Sequence, residues 1–423
     1  MQAKKCQSGA AIVPDTCQIP AEAGRWSHRQ QKTGVGMTRA SRQRRNTLID
    51  SMRALALGGV VIVNMLTLSG LAYMTPDTRA ETLGAMDLAL WRLLSLFLEN
   101  NALAVFSFLF GFSFSLLLQK QGNTPDTRVS MILRRLAVLW GIGLFNAVFL
   151  FWADILMTYA LLGLVLPLAA RLPLRMIATL GCTLIMAGPV ALMLSGVPLP
   201  SAVPMGIEES IPVFASQSYG LVLEQNITMA TTAPANAAGL ILLRFFVLSG
   251  MFLLGMAASR SGMLEQALSA PRVFATLGAG LILAGVGMQL FQGVEPPRHG
   301  IMLSLHLDMV VMAFGYLLLG SVMLGHPHAV RLRRVLAPLG RMSLTGYLMS
   351  AALGQAVFYG WGLALIGQLG VGSVLAIALC IYTLLLAFAH LWFSRYLFGP
   401  WEWLWRSLSE LRPQPLLRPD MVS

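Results

Sequence analysis

The sequence predicts an all-α fold, a polytopic bundle of about ten transmembrane helices with both termini in the cytoplasm. Hydrophobic residues make up 56% of the 423 residues and charged residues only 11%, whereas a soluble domain carries about 25% charged residues. The apolar residues cluster in stretches close to the ~20 residues that cross the hydrocarbon core of a bilayer. The 30 lysines and arginines gather mainly in the short segments between those stretches.

Ten apolar stretches are long enough, with allowance for tilt, to be predicted as membrane-spanning helices. A basic flank precedes the first, the second follows a Glu-Asn-Asn break, a tight turn separates the third from the fourth, and a long acidic segment separates the fifth from the sixth. In chain order they are 55–74, 102–118, 136–152, 155–170, 176–194, 240–258, 273–292, 302–324, 344–366 and 373–393.

The distribution of basic residues predicts the orientation, because lysine and arginine are retained on the cytoplasmic side of short loops. Most of the 30 lie before Asp50, after the last helix, or in alternate loops of a ten-helix arrangement, and only Arg79 and Arg298 lie in the opposite loops. Both termini are therefore predicted to be cytoplasmic. The net charge of +12 is explained by this topology, so no nucleic-acid binding is expected.

Composition divides the chain into three parts. Residues 1–45 form a polar, basic tail that is expected to be disordered, 46–410 the transmembrane domain, and 411–423 a cytoplasmic C-terminal tail. Met37 is followed by a compact basic flank of the kind that precedes an inserted helix, so we expect translation to start there. The cysteines lack the spacing of a metal site.

Three polar side chains interrupt the first predicted helix. Asp50 and Arg53 are three residues apart and share a helix face, and Asn64, about three turns later, returns to nearly the same face. All three are candidate substrate-binding residues, because apolar helices seldom carry such groups without a reason. In the alternative interpretation, Asp50 and Arg53 form an ion pair at the membrane edge and Asn64 serves helix packing.

Two further helices carry charged or titratable groups. Arg244 in the sixth helix is a candidate substrate-binding residue, and it lies at a depth similar to that of Asp308 in the eighth, so an Arg244–Asp308 pair is one interpretation. His306 and Asp308 are candidate catalytic residues, since imidazole and carboxylate groups transfer protons. The two residues are two positions apart on one helix, so a rotation of about 200° around the helix axis separates their side chains.

Two other acidic residues lie outside the predicted spans. Asp154 follows the third helix closely, where a carboxylate suits the N-cap of the next helix, and it is also a candidate substrate-binding residue in a cavity open to the outside. Glu402 and Arg406 are four residues apart after the last helix, which predicts a surface ion pair.

Five ordered blocks of sequence resemble one family. They are Asp50-x-x-Arg53 with Asn64, NALAVFSFLFGFSFSL at 101–116, RRLAVLWGIGLFNAVFLFWADILMTYALLG at 134–163, GRMSLTGYLMS at 340–350 and FGPWEWLWRSL at 398–408. Together they resemble the YeiB family, domain of unknown function 418, which comprises bacterial polytopic membrane proteins. That family is distantly similar to transmembrane acyltransferases that modify polysaccharides and heparan glucosamine.

The resemblance implies a multi-pass protein of the bacterial inner membrane with an acyltransferase-like fold. It implies acyl-CoA as the donor and a lipid or glycan at the outer face as the acceptor. In the O-acyltransferases a histidine follows the arginine by eleven positions, where this chain has Asn64, and the YeiB family often has histidine where this chain has Asn146. A carrier for a small or amphiphilic solute is the alternative function, and a non-catalytic membrane scaffold is the third. The sequence indicates no oligomeric state.

Overall fold

The computed structural model describes residues 39–119, 125–195, 208–236, 238–294 and 307–418. Contacts divide the chain into two units, Met1–Arg45 and Asn46–Ser423. In the first unit the described residues are the opening turns of a helix that begins at Arg39. The proposed start at Met37 and most of the N-terminal tail lie outside the described residues.

The prediction of an all-α fold is confirmed. Within the described ranges the chain forms helices and no strand, apart from one isolated β-bridge between Tyr396 and Leu417. The α-helices are α1 Arg39–Leu68, α2 Pro76–Thr82, α3 Ala85–Phe97, α4 Asn101–Leu118, α5 Pro125–Phe145, α6 Leu156–Leu162, α7 Val165–Ala169, α8 Leu174–Ser195, α9 Ile211–Phe214, α10 Tyr219–Asn236, α11 Ala238–Ser261, α12 Met263–Ser269, α13 Pro271–Val294, α14 Leu307–Gly325, α15 Val330–Arg341, α16 Ser343–Phe358, α17 Val371–Arg395 and α18 Pro400–Glu410.

The chain is a multi-pass membrane protein. Eight helical segments in the described part of the chain are long and apolar enough to cross a membrane, and each overlaps one of the ten predicted stretches. They are Arg45–Leu68, Ala85–Leu118, Val129–Leu150, Leu174–Ala191, Ile241–Ser261, Pro271–Phe291, Leu307–Gly325 and Val371–Arg395.

Two of the ten predicted spans are shorter than expected. The stretch 155–170 is divided between α6 and α7, which together form a short apolar segment. In the stretch 344–366, α16 ends at Phe358 because the backbone that follows bonds to other segments. Gly360 donates its N–H to the carbonyl oxygen of Phe214 at 2.8 Å. Gly367, which has a φ of 71°, donates its N–H to the carbonyl oxygen of Ser69 at 2.8 Å.

Pairs of glycines, one on each partner helix, allow three helix crossings at backbone contact. A Cβ atom at Gly111 would overlap the carbonyl oxygen of Phe252, and one at Gly255 would overlap that of Phe108. Small residues at such crossings are typical of membrane helices, whose association depends on close packing. The pairs are Gly111 with Gly255 between α4 and α11, Gly181 with Gly250 between α8 and α11, and Gly278 with Gly315 between α13 and α14.

Helix α1 lies parallel to the segment formed by the end of α15 and α16. Gly340 packs against the carbonyl group of Asp50, and Gly354 packs against Leu68 and Met65. The contacts therefore advance in the same direction along both segments. This arrangement places Asp50 and Arg53 beside the junction of α15 and α16.

Candidate functional site

Arg53 connects α1 to two other parts of the bundle. Its Nη1 atom donates to Asp50 Oδ1 at 2.8 Å and to the carbonyl oxygen of Gly340 at 2.8 Å, and its Nη2 atom donates to Ser113 Oγ at 2.7 Å. Ser113 lies on α4 and Gly340 near the end of α15. The predicted Asp50–Arg53 ion pair is present, and both terminal guanidinium nitrogens are bound to protein groups.

Asn64 is buried deeper along α1. Asn64 is 9% exposed, and its side-chain Nδ2 atom has no hydrogen-bond partner among the described residues. A buried donor without a partner costs about 1–3 kcal/mol. Asn64 therefore stays a candidate for a ligand contact, separate from the groups that Arg53 holds.

Arg244 and Asp308 have different partners, so the interpretation as a pair is wrong. Arg244 Nη2 donates to Asn100 Oδ1 at 3.2 Å, at the break between α3 and α4. Asp308 is buried and its Oδ2 atom accepts from Gln289 Nε2 on α13 at 2.7 Å. The reason is helix packing, since α11 packs against α4 and α8 whereas α14 packs against α13. Similar depth in the membrane did not make the two residues neighbours.

His306 lies outside the described residues, so its role as a candidate catalytic residue stays a prediction. Asp308 occupies the first turn of α14, where a carboxylate also suits the positive end of the helix dipole. Among the described residues, no three His, Cys, Asp or Glu side chains come together as a metal site requires.

Asp154 lies in a chain segment that interrupts the helices. Helix α5 continues into a π-helical turn, Asn146–Leu150, and α6 begins at Leu156. Asn146 Nδ2 donates to Asp154 Oδ1 at 2.8 Å, and the backbone N–H of Met157 donates to Asp154 Oδ2 at 2.7 Å. The second bond confirms the prediction that Asp154 caps a helix N-terminus. π-helical turns are frequent at functional sites.

Tyr347 of α16 brings a hydroxyl group to the same place. Its oxygen accepts a hydrogen bond from the backbone N–H of Ile155, the residue after Asp154, at 3.4 Å. The Tyr347 hydroxyl therefore lies beside the segment that carries Asp154. Gly143 leaves room for the Asp154 carboxyl, because a Cβ atom there would lie 2.7 Å from Asp154 Oδ2.

The environment of Asp154 changes its acidity. Burial raises the pKa of its carboxyl to about 7, and the smaller opposing effects come from the hydrogen bonds of Met157 and Asn146. Burial disfavours the charged form of a carboxyl. A carboxyl with a pKa near 7 takes up and releases a proton at neutral pH, which is the property that a general base requires.

The long segment between α8 and α11 packs against this region. Tyr219 donates its hydroxyl to the carbonyl oxygen of Phe149 at 2.7 Å, and Asn226 Nδ2 donates to that of Val148 at 3.1 Å. Both contacts are made with the π-helical turn, and both come from α10. The acidic segment of the sequence therefore covers the turn that carries Asn146.

Glu402 is a buried capping residue, so the predicted surface pair with Arg406 is wrong. Its carboxylate accepts hydrogen bonds from the N–H groups of Leu344 at 2.8 Å and Thr345 at 3.1 Å, and from the Thr345 hydroxyl at 2.6 Å. The first N–H groups of a helix lack partners within the helix. Glu402 on α18 supplies the acceptor for two of these groups at the start of α16. Burial raises the pKa of its carboxyl. Arg406 lies over the ring of Phe398 at 4.6 Å.

Comparison with known proteins shows similarity to one family. A profile described as "Protein of unknown function (DUF418)" matches residues 258–412. The uncharacterized protein YxaH of Bacillus subtilis (strain 168) is 29% identical over 411 residues, which covers 89% of this chain and 96% of the relative. The chain is therefore similar to the YeiB-like DUF418 family.

Two further relatives have similar coverage. The uncharacterized protein YeiB of Escherichia coli (strain K12) is 27% identical over 386 residues, with 86% of this chain and 96% of the relative covered. An uncharacterized 39.9 kDa protein of Bacillus acidopullulyticus is 28% identical, with 87% and 95% covered. No solved structure matches the chain.

Sequence reasoning missed several partners, although it pointed to the segments that contain most of them. The missed partners are Asn100, Ser113, Asn146, Gln289, Gly340 and Tyr347 as hydrogen-bonding groups and Glu402 as a cap. Five of the seven lie inside the blocks that resemble the family, so membership of such a block was the available signal. Asn100 and Gln289 lie outside the blocks and carry no comparable signal.

Proposed function

We propose that this protein is a membrane-bound acyltransferase in which Asp154 is the general base. The supporting observation is the half-buried Asp154 carboxyl with a pKa of about 7, hydrogen-bonded to Asn146 and next in the chain to Ile155, whose N–H donates to the Tyr347 hydroxyl. A general base is most effective when its pKa lies near the working pH. Amide and hydroxyl donors beside it suit the negative charge that develops on a carbonyl oxygen during acyl transfer.

In the proposed reaction Asp154 takes the proton from the acceptor hydroxyl or amine of a lipid or glycan as that group attacks a thioester carbonyl. A new ester or amide bond forms, and Asn146 and Tyr347 donate hydrogen bonds to the oxygen that becomes negative. The carbon–sulfur bond then breaks, and Asp154 returns the proton to the leaving thiolate. Acyl-CoA, when bound, supplies the activated acyl group.

The experiment uses membrane vesicles from cells that produce the wild type or Asp154→Asn, incubated with radiolabelled acetyl-CoA and palmitoyl-CoA. We expect label in the lipid or glycan fraction with the wild type, and a loss of about 10²–10⁴-fold with the variant, the usual contribution of a general base. Asp77→Asn, which removes an exposed carboxyl on α2, is the control. Equal labelling by Asp154→Asn and wild type would contradict the assignment of the base.

The raised pKa of Asp154 gives a pH-dependent signature. Transfer is expected to increase as the pH rises through about 7, because the base must be deprotonated. Stability is expected to change in the opposite direction. The pKa of Asp154 in the folded protein lies above its value of about 3.9 in the unfolded chain. The stability that the protonated carboxyl contributes is therefore complete below about pH 3.9, and it is lost as the pH rises through about 7. The melting temperature of Asp154→Asn should not decline in this way as the pH rises. This measurement separates loss of the base from misfolding.

The proposal also places the protein in the bacterial inner membrane with both termini in the cytoplasm and α9 and α10 outside. A cysteine introduced at the exposed Gln217, in a variant without the natural cysteines, should react with an impermeant maleimide added to intact cells. A cysteine at Gln121 should react only after the cells are opened. The reverse pattern would invert the topology.

Proton-coupled transport of a small or amphiphilic solute is the second candidate. The same Asp154 observation favours it, since a membrane protein uses protonatable carboxyls as proton relays. Purified protein in vesicles that contain a pH-sensitive dye separates the two functions. Acyl transfer without proton flux supports the enzyme, whereas proton flux that Asp154→Asn abolishes, without acyl transfer, supports the carrier.

A further inference from the structure

A large cavity lies between four membrane-spanning segments, away from Asp154. Its volume is about 530 Å³, and its walls come from α1, the α3–α4 junction, α14 and α17. Every residue of its walls belongs to a segment that is apolar and long enough to cross a membrane. The cavity therefore lies at the level of the hydrocarbon core, and its size is within the ~300–1,000 Å³ range of ligand sites.

The walls of the cavity are suited to hydrocarbon. Their hydroxyl groups belong to Tyr316 and Tyr382, and both already donate to backbone carbonyl oxygens, Tyr316 to Phe97 at 3.0 Å and Tyr382 to Ala54 at 2.9 Å. A polar ligand would lose its own hydrogen bonds with water and gain few here, which is costly. Inside a bilayer, the abundant apolar molecule of this shape is a lipid chain.

A glycine in the wall keeps part of the cavity open. At Gly320 on α14, the nearest atom to a Cβ would be the terminal methyl carbon of Met52, at 3.9 Å. A larger side chain at this position therefore fits without a clash, and it would project into the space. This makes Gly320 the best position at which to block the cavity.

Cationic side chains lie beyond one end of the cavity, on α15. From Tyr382, α17 continues for eight residues, ~12 Å, to His390, whose Nε2 atom lies 3.0 Å from the carbonyl oxygen of Val335 on α15. Beside Val335, Arg331 and Arg334 are exposed. Val330, Leu332 and Val335 are also exposed, so α15 presents cations and apolar groups together, as helices at a membrane surface do.

We propose that the cavity binds one acyl chain of an anionic membrane phospholipid, whose headgroup phosphate contacts Arg331 and Arg334. The apolar walls select the chain, and the two guanidinium groups are complementary to the charge of the phosphate. None of the residues around Asp154 lines the cavity, so this site is separate from the proposed catalytic site and independent of it.

The first experiment locates the chain. Full-length protein is reconstituted in phosphatidylcholine vesicles that contain phosphatidylglycerol with a photoactivatable diazirine near the end of one chain. We expect adducts on the peptides of α1 and α14 that line the cavity, and Gly320→Leu should lower their yield about tenfold. Gly280→Leu on α13 is the matched control, because its Cβ would also meet open space, and it should label like the wild type.

Adducts spread evenly over the outer surface, or equal yields for Gly320→Leu and Gly280→Leu, would overturn the site. Size-exclusion profiles and melting temperatures of both variants verify that they are folded. If Gly320→Leu does not fold, Ala56→Leu, at another position in the cavity wall, replaces it with the same expected loss.

The second experiment tests the headgroup. The phosphatidylglycerol probe should label the cavity peptides more strongly than a phosphatidylcholine probe with the same chain, by about fivefold for each arginine. Arg331→Gln with Arg334→Gln should abolish this preference, whereas Arg171→Gln with Arg175→Gln, which removes two other exposed arginines, should preserve it. Equal labelling of the wild type by both probes would overturn the headgroup contact.

Discussion

Gly255→Ala and Gly111→Ala are expected to prevent stable folding of the bundle. In each case the new methyl group would occupy the position of a backbone carbonyl oxygen on the facing helix, that of Phe108 or Phe252. A side chain can rotate away from an added methyl group, but a carbonyl group in a helix cannot. The cost should therefore exceed the ~1–3 kcal/mol typical of overpacking a core.

The measurement is the yield of monodisperse protein in mild detergent and its melting temperature. The matched control is Gly280→Ala on α13, where an added Cβ would meet nothing within 4 Å. Alanine is the better helix former, by about 1 kcal/mol at an exposed position, so this control should be neutral or slightly stabilising. Normal yield and stability of Gly255→Ala would show that α4 and α11 do not cross in this way.

Glu402→Ala is expected to destabilise the protein by ~3 kcal/mol or more. The change removes the acceptor of three hydrogen bonds and leaves the N–H groups of Leu344 and Thr345 buried at the start of α16. An unsatisfied buried donor costs about 1–3 kcal/mol. Glu402→Gln keeps an acceptor oxygen for the N–H groups, so its cost should stay near ~1 kcal/mol.

The same comparison separates a cap from a surface ion pair. Unfolding in a denaturant titration measures the free energy for Glu402→Ala, Glu402→Gln and Glu81→Ala, the last being a change at an exposed glutamate of α2. A surface pair with Arg406 would be worth ~0–1 kcal/mol. Small, equal effects of all three variants would therefore contradict the capping role.

The membrane-spanning character could be predicted because it depends on composition and length within a segment. Helix α11 illustrates this, since its apolar run appears in the sequence as the stretch 240–258 and in the structure as the span Ile241–Ser261. Of the two exceptions, α16 ends where the backbone that follows it bonds to distant segments. The bond from Gly360 to the carbonyl oxygen of Phe214 joins positions far apart in the chain, and no local pattern indicates it.

The candidate site shows the same division between local and distant interactions. The Asp50–Arg53 ion pair and the capping bond from Met157 to Asp154 span only three residues, so helix geometry was sufficient to predict both. The Arg244–Asp308 pair required knowledge of which helices are neighbours, and that prediction was wrong. Depth in the membrane follows from residue counting, but neighbours follow from helix packing.

The sequence by itself determined that the chain is an all-α, multi-pass membrane protein, that it resembles the YeiB family, and that a few polar side chains lie among apolar helices. Hydrophobic patterning and short-range helix geometry are sufficient for each of these conclusions. Only the tertiary structure decided that Asp154 contacts Asn146, that Glu402 caps α16, and that four spans line a large apolar cavity. Burial, which raises the pKa of Asp154 to about 7, arises from helices distant in sequence, and it exists only once the bundle has packed.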